Sequence, residues 1–160
     1  MEKINELLAN ILDDAFNGSG WQGPDNLVGT VENATLDQLL YPSPHEGYCI
    51  WQIVLHCAYW KWFVLKILNS QKAGEFPRSP ADFPSLPGVR NLETWRKDLR
   101  LLIDGHNTMQ EVVRGFPVES LWKIAPNQNK DLPYVKYVYG VAAHDIYHTG
   151  QIRNMGVPNI

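Results

Sequence analysis

The sequence places two histidines four residues apart near its C-terminal end, in the run His144-Asp145-Ile146-Tyr147-His148. On a helix, residues four apart face the same way, with their Cβ atoms about 5–6 Å apart. Two imidazoles at this spacing can bind one metal ion, because the helix fixes their positions in advance. Histidine pairs at this spacing also arise by chance, so the pair predicts a metal site only if further ligands lie nearby.

The helical face that carries these histidines should be buried, yet it contains several polar side chains. Counting about 100° per residue, one stripe comprises Tyr137, Val141, His144, His148, Gln151 and Met155. Burying imidazole or amide groups without partners costs about 1–3 kcal/mol each. A bound metal would satisfy the histidines, and it would make Tyr137 and Gln151 candidates for contacts behind the ligands or with a substrate.

His56 raises the same question on a second apolar helix, predicted from Tyr48 to Leu68. Gln52 and Trp60 lie one helical turn before and after it, so both are candidate pocket residues. A lone buried histidine is more often a hydrogen-bonded core residue than a ligand. His56 therefore becomes a third ligand only if its helix lies beside the helix that carries His144 and His148.

The other histidines and the cysteines are weaker candidates. His106 lies on the inward stripe of a third long helix, where a core residue is favoured over a pocket residue. His45 lies in a loop just before the second long helix, from which it could reach the site. Cys49 and Cys57 would lie about 12 Å apart along one helix axis. This exceeds the Cα separation of about 7 Å that a disulfide allows, so both are interpreted as small buried residues.

Four long helices are predicted to position these residues. In the first helix, Ile4, Leu7, Leu8, Ile11, Leu12 and Ala15 share one face at a spacing of three and four residues. The predicted bounds are Met1 to Phe16, Tyr48 to Leu68, Asn91 to Arg114, and Asp131 or Leu132 to Met155. No convincing strand is present. We therefore predict an all-α four-helix bundle that forms one domain over residues 1–160.

The connections before and after the second long helix are both long. Before it, short helical pieces are predicted at Gly23-Pro24 and at Thr35-Leu36-Asp37-Gln38, which has the form of a capping box. After it, residues 70–90 contain Pro77, Pro80, Pro84 and Pro87, which should exclude a regular element. This segment is either a functional lid or a crossover strap between distant helices, and the strap is the favoured interpretation.

Composition excludes several classes of partner. The formal net charge is −3 and no long run of like charges occurs, which argues against a nucleic-acid partner. The apolar stretch from Cys49 to Leu68 is interrupted by Gln52, His56, Lys61 and Lys66, so no membrane span is expected. The N-terminal residues lack the pattern of a secretory signal. A cytoplasmic protein is therefore expected.

Several segments together resemble the DinB-like superfamily, which includes the YfiT-type proteins. The run from Cys49 to Trp60 is similar to the motif on the second helix of that superfamily, and the run from His144 to Ile152 is similar to its C-terminal motif. The two motifs occur in the right order and at the right separation. Gly23-Pro24 and the proline-rich loop match as well, so the resemblance covers nearly the whole chain.

The resemblance implies an up-down-down-up four-helix bundle with His56, His144 and His148 as ligands of one metal ion. The ion is expected to be a divalent transition metal, with zinc preferred and nickel or iron as alternatives. A homodimer is expected by analogy. Known activities in the superfamily include transferases that use low-molecular-weight thiols such as bacillithiol or mycothiol, and a thiol-dependent maleylpyruvate isomerase.

Three imidazole ligands would leave one position of a tetrahedral zinc ion open. Catalytic sites have this layout, whereas four protein ligands close a structural site. The open position could take a water molecule or a substrate thiol. We therefore expect a metal-dependent enzyme acting on a small molecule, with thiol S-transfer ahead of hydrolysis. The alternatives are a non-catalytic bundle that binds a metal or another ligand, and a structural bundle without metal.

Overall fold

The computed structural model describes residues 2–18, 26–43, 47–126 and 131–157, and every regular element in these ranges is helical. The helices are α1 (Glu2–Phe16), α2 (Leu27–Val31), α3 (Leu36–Leu39), α4 (Ile50–Leu68), α5 (Ser70–Ala73), α6 (Leu92–Gly115) and α7 (Tyr134–Arg153). A short 3₁₀ turn covers Val118–Ser120. The all-α prediction is confirmed, and the capping box at Thr35 and Gln38 is present. The helical piece predicted at Gly23-Pro24 lies outside the described residues.

The four long helices form a bundle in which α4 packs against α6 and α7, and α1 packs against the same two helices. One hydrophobic cluster joins the C-terminal ends of α1 and α7 to the N-terminal halves of α4 and α6. A second cluster joins the opposite ends of the same helices. Helices α1 and α7 therefore run one way and α4 and α6 the other, which is the predicted up-down-down-up order.

The proline-rich connection is a crossover because it joins two successive long helices, α4 and α6, that run in the same direction. Helix α4 has 19 residues and is about 28 Å long, so the chain must return along the bundle before α6 can start. Residues 74–91, here called the strap, make this return. The helix α5 precedes the strap, although no regular element was expected after residue 70. It forms because Asn69 caps it and the prolines begin only at Pro77.

A buried carboxylate anchors the strap to the bundle. Asp98 of α6 is fully buried and accepts a hydrogen bond from Trp51 Nε1 of α4 at 2.9 Å. It also accepts from Nε and Nη2 of Arg78 in the strap, at 3.0 and 2.6 Å. A guanidinium bound through two nitrogens is a strong and directional contact. These bonds join the strap, α4 and α6 at one point.

The buried face of α1 is narrower than the predicted one. Leu8, Leu12 and Ala15 are buried as predicted, whereas Leu7 and Ile11 are 53% and 36% exposed. The helix turns Asn5 inward, where its Nδ2 donates to the backbone carbonyls of residues 114 and 116 at the end of α6. Because these carbonyls have no partner within their own helix, the polar contact helps to set which face of α1 is buried.

The ends of the other long helices lie within three residues of the predicted bounds, and α4 ends at Leu68 as predicted. Asn91, where the third long helix was predicted to begin, is the N-cap of α6, since its side chain accepts from the backbone N–H of Thr94. Pro133 precedes α7 in an extended conformation, so this helix starts at Tyr134 and not at residue 131 or 132. In the part of the chain that is described, no helix combines the length and the apolar character needed to cross a membrane.

His106 occupies the core, as its position on the predicted inward stripe of α6 indicated. It is 1% exposed and stacks on Phe16 with the ring centroids 3.9 Å apart. Gln110 Nε2 lies 3.1 Å from His106 Nε2. Burial, followed by the positive charge of Lys61, lowers the pKa of His106 to about 3. The imidazole is therefore neutral in the folded protein at neutral pH.

Replacing His106 with leucine should reduce the loss of stability in acid. The unfolded chain protonates this imidazole near its ordinary pKa of 6.5, whereas the folded chain does not until about pH 3. Because the unfolded state binds the extra proton in that window, stability falls as the pH drops below about 6.5. Between about pH 7.5 and about pH 5, the free energy of unfolding in urea should fall by about 2 kcal/mol more for the wild type than for His106→Leu. Equal losses of stability in the two proteins would contradict a neutral His106 imidazole in the folded protein.

Candidate metal centre

Helices α4 and α7 bring together the three histidines predicted as ligands. His56 Nε2 lies 3.0 Å from His144 Nε2, and His148 Nε2 lies 3.1 Å from the same atom. His56 and His148 are buried and His144 is partly buried. One potential ligand atom from each residue lies within 4.8 Å of the other two. The expectation that the helices lie side by side is confirmed, and the three imidazoles form a group that could hold a metal ion.

The spacing of the ring nitrogens fits a common ion. Two nitrogens that are each about 2.0–2.1 Å from a zinc ion at the tetrahedral angle lie about 3.3–3.4 Å apart. The observed separations of 3.0 and 3.1 Å are slightly shorter. An outward shift of the rings by a few tenths of an ångström would accommodate the ion.

Hydrogen bonds on the far side of two rings fix which nitrogen carries the proton. His56 Nδ1 donates to the backbone carbonyl of Asp82 at 2.7 Å, and His148 Nδ1 donates to Gln151 Oε1 at 2.6 Å. Because both oxygens only accept, each Nδ1 carries the hydrogen and each Nε2 presents a lone pair. When all three rings are neutral, only His144 Nε2 can supply a hydrogen to the centre. A bound cation would attract these lone pairs, which otherwise repel one another.

His144 is held neutral by its surroundings. Burial, followed by the adjacent rings of His148 and His56, lowers the pKa of His144 to about 3. Its Nδ1 is buried and has no hydrogen-bond partner among the described residues. Since metals bind the unprotonated imidazole, the centre is prepared to bind a cation at neutral pH.

Aromatic side chains surround the three rings. Phe83 of the strap stacks on His56 with the centroids 3.9 Å apart. The ring of Trp60 lies 6.3 Å from that of His56 and 6.1 Å from that of His144. Tyr147 contacts His148 edge to face at 4.9 Å. An apolar shell of this kind restricts access of water to a metal site.

The other predicted pocket residues have different surroundings. Gln151 contacts His148, and Trp60 lies beside the cluster. Gln52 Oε1 accepts from the backbone N–H of Cys49 at the start of α4, and Tyr137 packs against the second hydrophobic cluster. A role of these four residues toward a substrate stays a prediction. His45 lies outside the described residues.

A buried ion pair that was not predicted from the sequence lies beside the histidines. Lys61 Nζ of α4 contacts Asp145 Oδ2 of α7, and both side chains are 0% exposed. Lys61 Nζ also lies 4.7 Å from the centroid of the Phe16 ring. Asp145 directly follows His144, but on α7 it lies off the stripe that carries His144 and His148. Its position could have indicated burial, because it belongs to a stripe of α7 whose other members, Val135, Val138, Ala142, Thr149 and Ile152, are all buried.

A second group of potential ligands, Cys57, His144 and Asp145, overlaps the first. Both of its additional members are poorly suited to bind a cation. Burial, reinforced by the charge of Asp145, raises the pKa of the Cys57 thiol well above its ordinary value. Asp145 is already paired with Lys61. The three-histidine cluster is therefore the better candidate.

The fold and the cluster define a class of protein, an all-α bundle in which two antiparallel helices supply three converging histidines. The sequence profile of the DinB superfamily matches residues 22–152. The chain belongs to the DinB superfamily, as the two histidine motifs predicted. No curated protein and no solved structure gives a significant match to the chain.

Proposed function

We propose that His56, His144 and His148 bind one divalent transition-metal ion and that the protein is a metal-dependent enzyme. The convergence of three Nε2 atoms, two of which are fixed as lone-pair donors, carries this proposal. Zinc is the preferred ion, with nickel and iron as alternatives, because imidazole ligands suit all three.

Three protein ligands favour a catalytic centre over a structural one. Structural zinc sites are closed by four protein ligands. A metal held by three imidazoles supplies Lewis acidity at its open position, which lowers the pKa of a water molecule or thiol bound there. The surrounding residues contribute orientation through Asp82 and Gln151, and exclusion of water through Phe83 and Trp60.

Thiol S-transfer to a small electrophile is the reaction that we propose. The choice of reaction rests on the resemblance to thiol-dependent members of the superfamily, and the open coordination position supports it. A cobalt-substituted sample tests this part directly. Addition of bacillithiol or glutathione should change the visible absorption of the bound cobalt, because a coordinating thiolate alters its ligand field. Spectra that none of these thiols changes would remove S-transfer from the proposal.

Elemental analysis tests the metal centre itself. Tag-free protein purified without a nickel column should contain about one ion per chain, and His148→Ala should contain less than about a tenth of an ion. The variant His106→Leu is the matched control, since it removes a buried histidine outside the cluster and should leave the metal content unchanged. Wild-type protein that neither retains nor takes up a divalent ion would contradict the proposal.

A further inference from the structure

Asp82 is the residue of the strap that contacts the candidate metal centre most directly. Its backbone carbonyl oxygen accepts from His56 Nδ1 at 2.7 Å, and its carboxylate Oδ1 lies 3.1 Å from the same nitrogen. The same Oδ1 accepts a hydrogen bond from Trp60 Nε1 at 2.7 Å. One residue of the strap therefore links two side chains that lie one turn apart on α4.

The backbone at Asp82 is held in an unusual conformation. Its φ is 70°, in the left-handed region that residues other than glycine, asparagine and aspartate rarely adopt. A positive φ still costs an aspartate some free energy, and neighbouring contacts help to keep it. Here Arg78 binds the buried Asp98 on one side, and Phe83 stacks on His56 on the other. The result is that the carbonyl of Asp82 points at His56.

We infer that Asp82 is a positioning residue for His56. Its carboxylate fastens the strap to Trp60, so that the Asp82 carbonyl keeps the hydrogen on His56 Nδ1 and leaves Nε2 directed at the other two histidines. The strap is then part of the metal centre as well as a connection between helices. The effect on metal affinity rests on the proposed function, whereas the orientation of the imidazole is a property of the chain alone.

Two substitutions at Asp82 distinguish the effect of its carboxylate oxygen from the effect of its backbone conformation. Asparagine and glycine both tolerate a positive φ, but only asparagine keeps an oxygen that can accept from Trp60. Asp82→Asn is therefore the conservative variant, and Asp82→Gly removes the acceptor without straining the backbone. Trp60→Phe removes the donor from the other side while it keeps an aromatic ring.

The zinc dissociation constant, measured by competition with a chromophoric chelator, is the first readout. Hydrogen-bond partners behind a metal-bound histidine change metal affinity about 10–100-fold. Asp82→Gly and Trp60→Phe should therefore weaken zinc binding at least about tenfold, and Asp82→Asn should stay within about threefold of the wild type. Far-UV circular dichroism of the metal-free variants checks that the bundle is intact.

The tautomer of His56 in metal-free protein is the second readout, measured by ¹⁵N NMR of the imidazole nitrogens. The wild type and Asp82→Asn should show a hydrogen on Nδ1 alone, and Asp82→Gly should show a mixture of both tautomers. The inference fails if Asp82→Gly keeps one tautomer, or if Asp82→Asn binds zinc as weakly as Asp82→Gly. If the wild type binds neither zinc nor another divalent transition-metal ion, the proposed function fails, and the tautomer comparison still decides the role of Asp82.

Discussion

Replacing Lys61 with methionine should destabilise the protein by about 3–5 kcal/mol, because the Asp145 carboxylate is then left charged and unpaired in the core. Both side chains of the pair are 0% exposed, so water cannot replace the lost partner. Oδ1 of Asp145 already lacks a hydrogen-bond partner among the described residues. Chemical denaturation at neutral pH, analysed as a two-state transition, measures the effect.

The double variant Lys61→Met/Asp145→Val tests the origin of this loss. Replacing a buried ion pair by apolar residues of similar size is often neutral or stabilising, so the double variant should recover most of the stability. Lys66→Met is the matched control, since Lys66 lies exposed on the same helix and its replacement should change stability by less than about 0.5 kcal/mol. Indistinguishable stabilities of Lys61→Met and Lys66→Met would show that the ion pair is not buried in solution.

Saturation with zinc should stabilise the wild type by about 4 kcal/mol when the concentration of free zinc is about a thousand times the dissociation constant. The ion would bind only the folded chain, because His56 and His144 are 88 residues apart in sequence and converge only in the bundle. His144→Ala should lose most of this increment, since both short nitrogen contacts of the cluster involve His144. Thermal unfolding with zinc and with excess chelator gives the increment for each protein.

His106→Leu is again the control for the zinc experiment, because His106 is a buried histidine outside the cluster. Its absolute stability will differ from that of the wild type, but its zinc-dependent increment should be the same. If zinc still stabilises His144→Ala as much as the wild type, the ion binds elsewhere in the protein.

Local pattern was sufficient to predict the long helices and two of the candidate ligands. Apolar residues at helical spacing located α1, α4, α6 and α7 to within a few residues. The four-residue spacing placed His144 and His148 on one face without any knowledge of their neighbours. His56 needed more than spacing, because its role depends on the contact between α4 and α7, and the resemblance of the surrounding motif supplied that contact.

The contacts that the sequence did not reveal join distant segments. Lys61 and Asp145 are 84 residues apart, and neither has a local partner that marks it as paired. Asp82 lies in a strap without periodicity, whose path depends on the anchoring of Arg78 by Asp98, 20 residues away. The predicted face of α1 was too wide, because helical spacing fits Leu7 and Ile11 as well as Leu8 and Leu12. Contacts with α6 and α7 bury the second pair and leave the first exposed.

The parallel course of α4 and α6 affects the order of events in folding. The crossover and α6 lie between α4 and α7 along the chain, so His56 and His144, which are 88 residues apart, can meet only after a long loop has closed. A metal bound by these residues would therefore stabilise a contact between segments that are distant in sequence. Where that contact forms after the folding transition state, the ion slows unfolding and leaves the folding rate nearly unchanged.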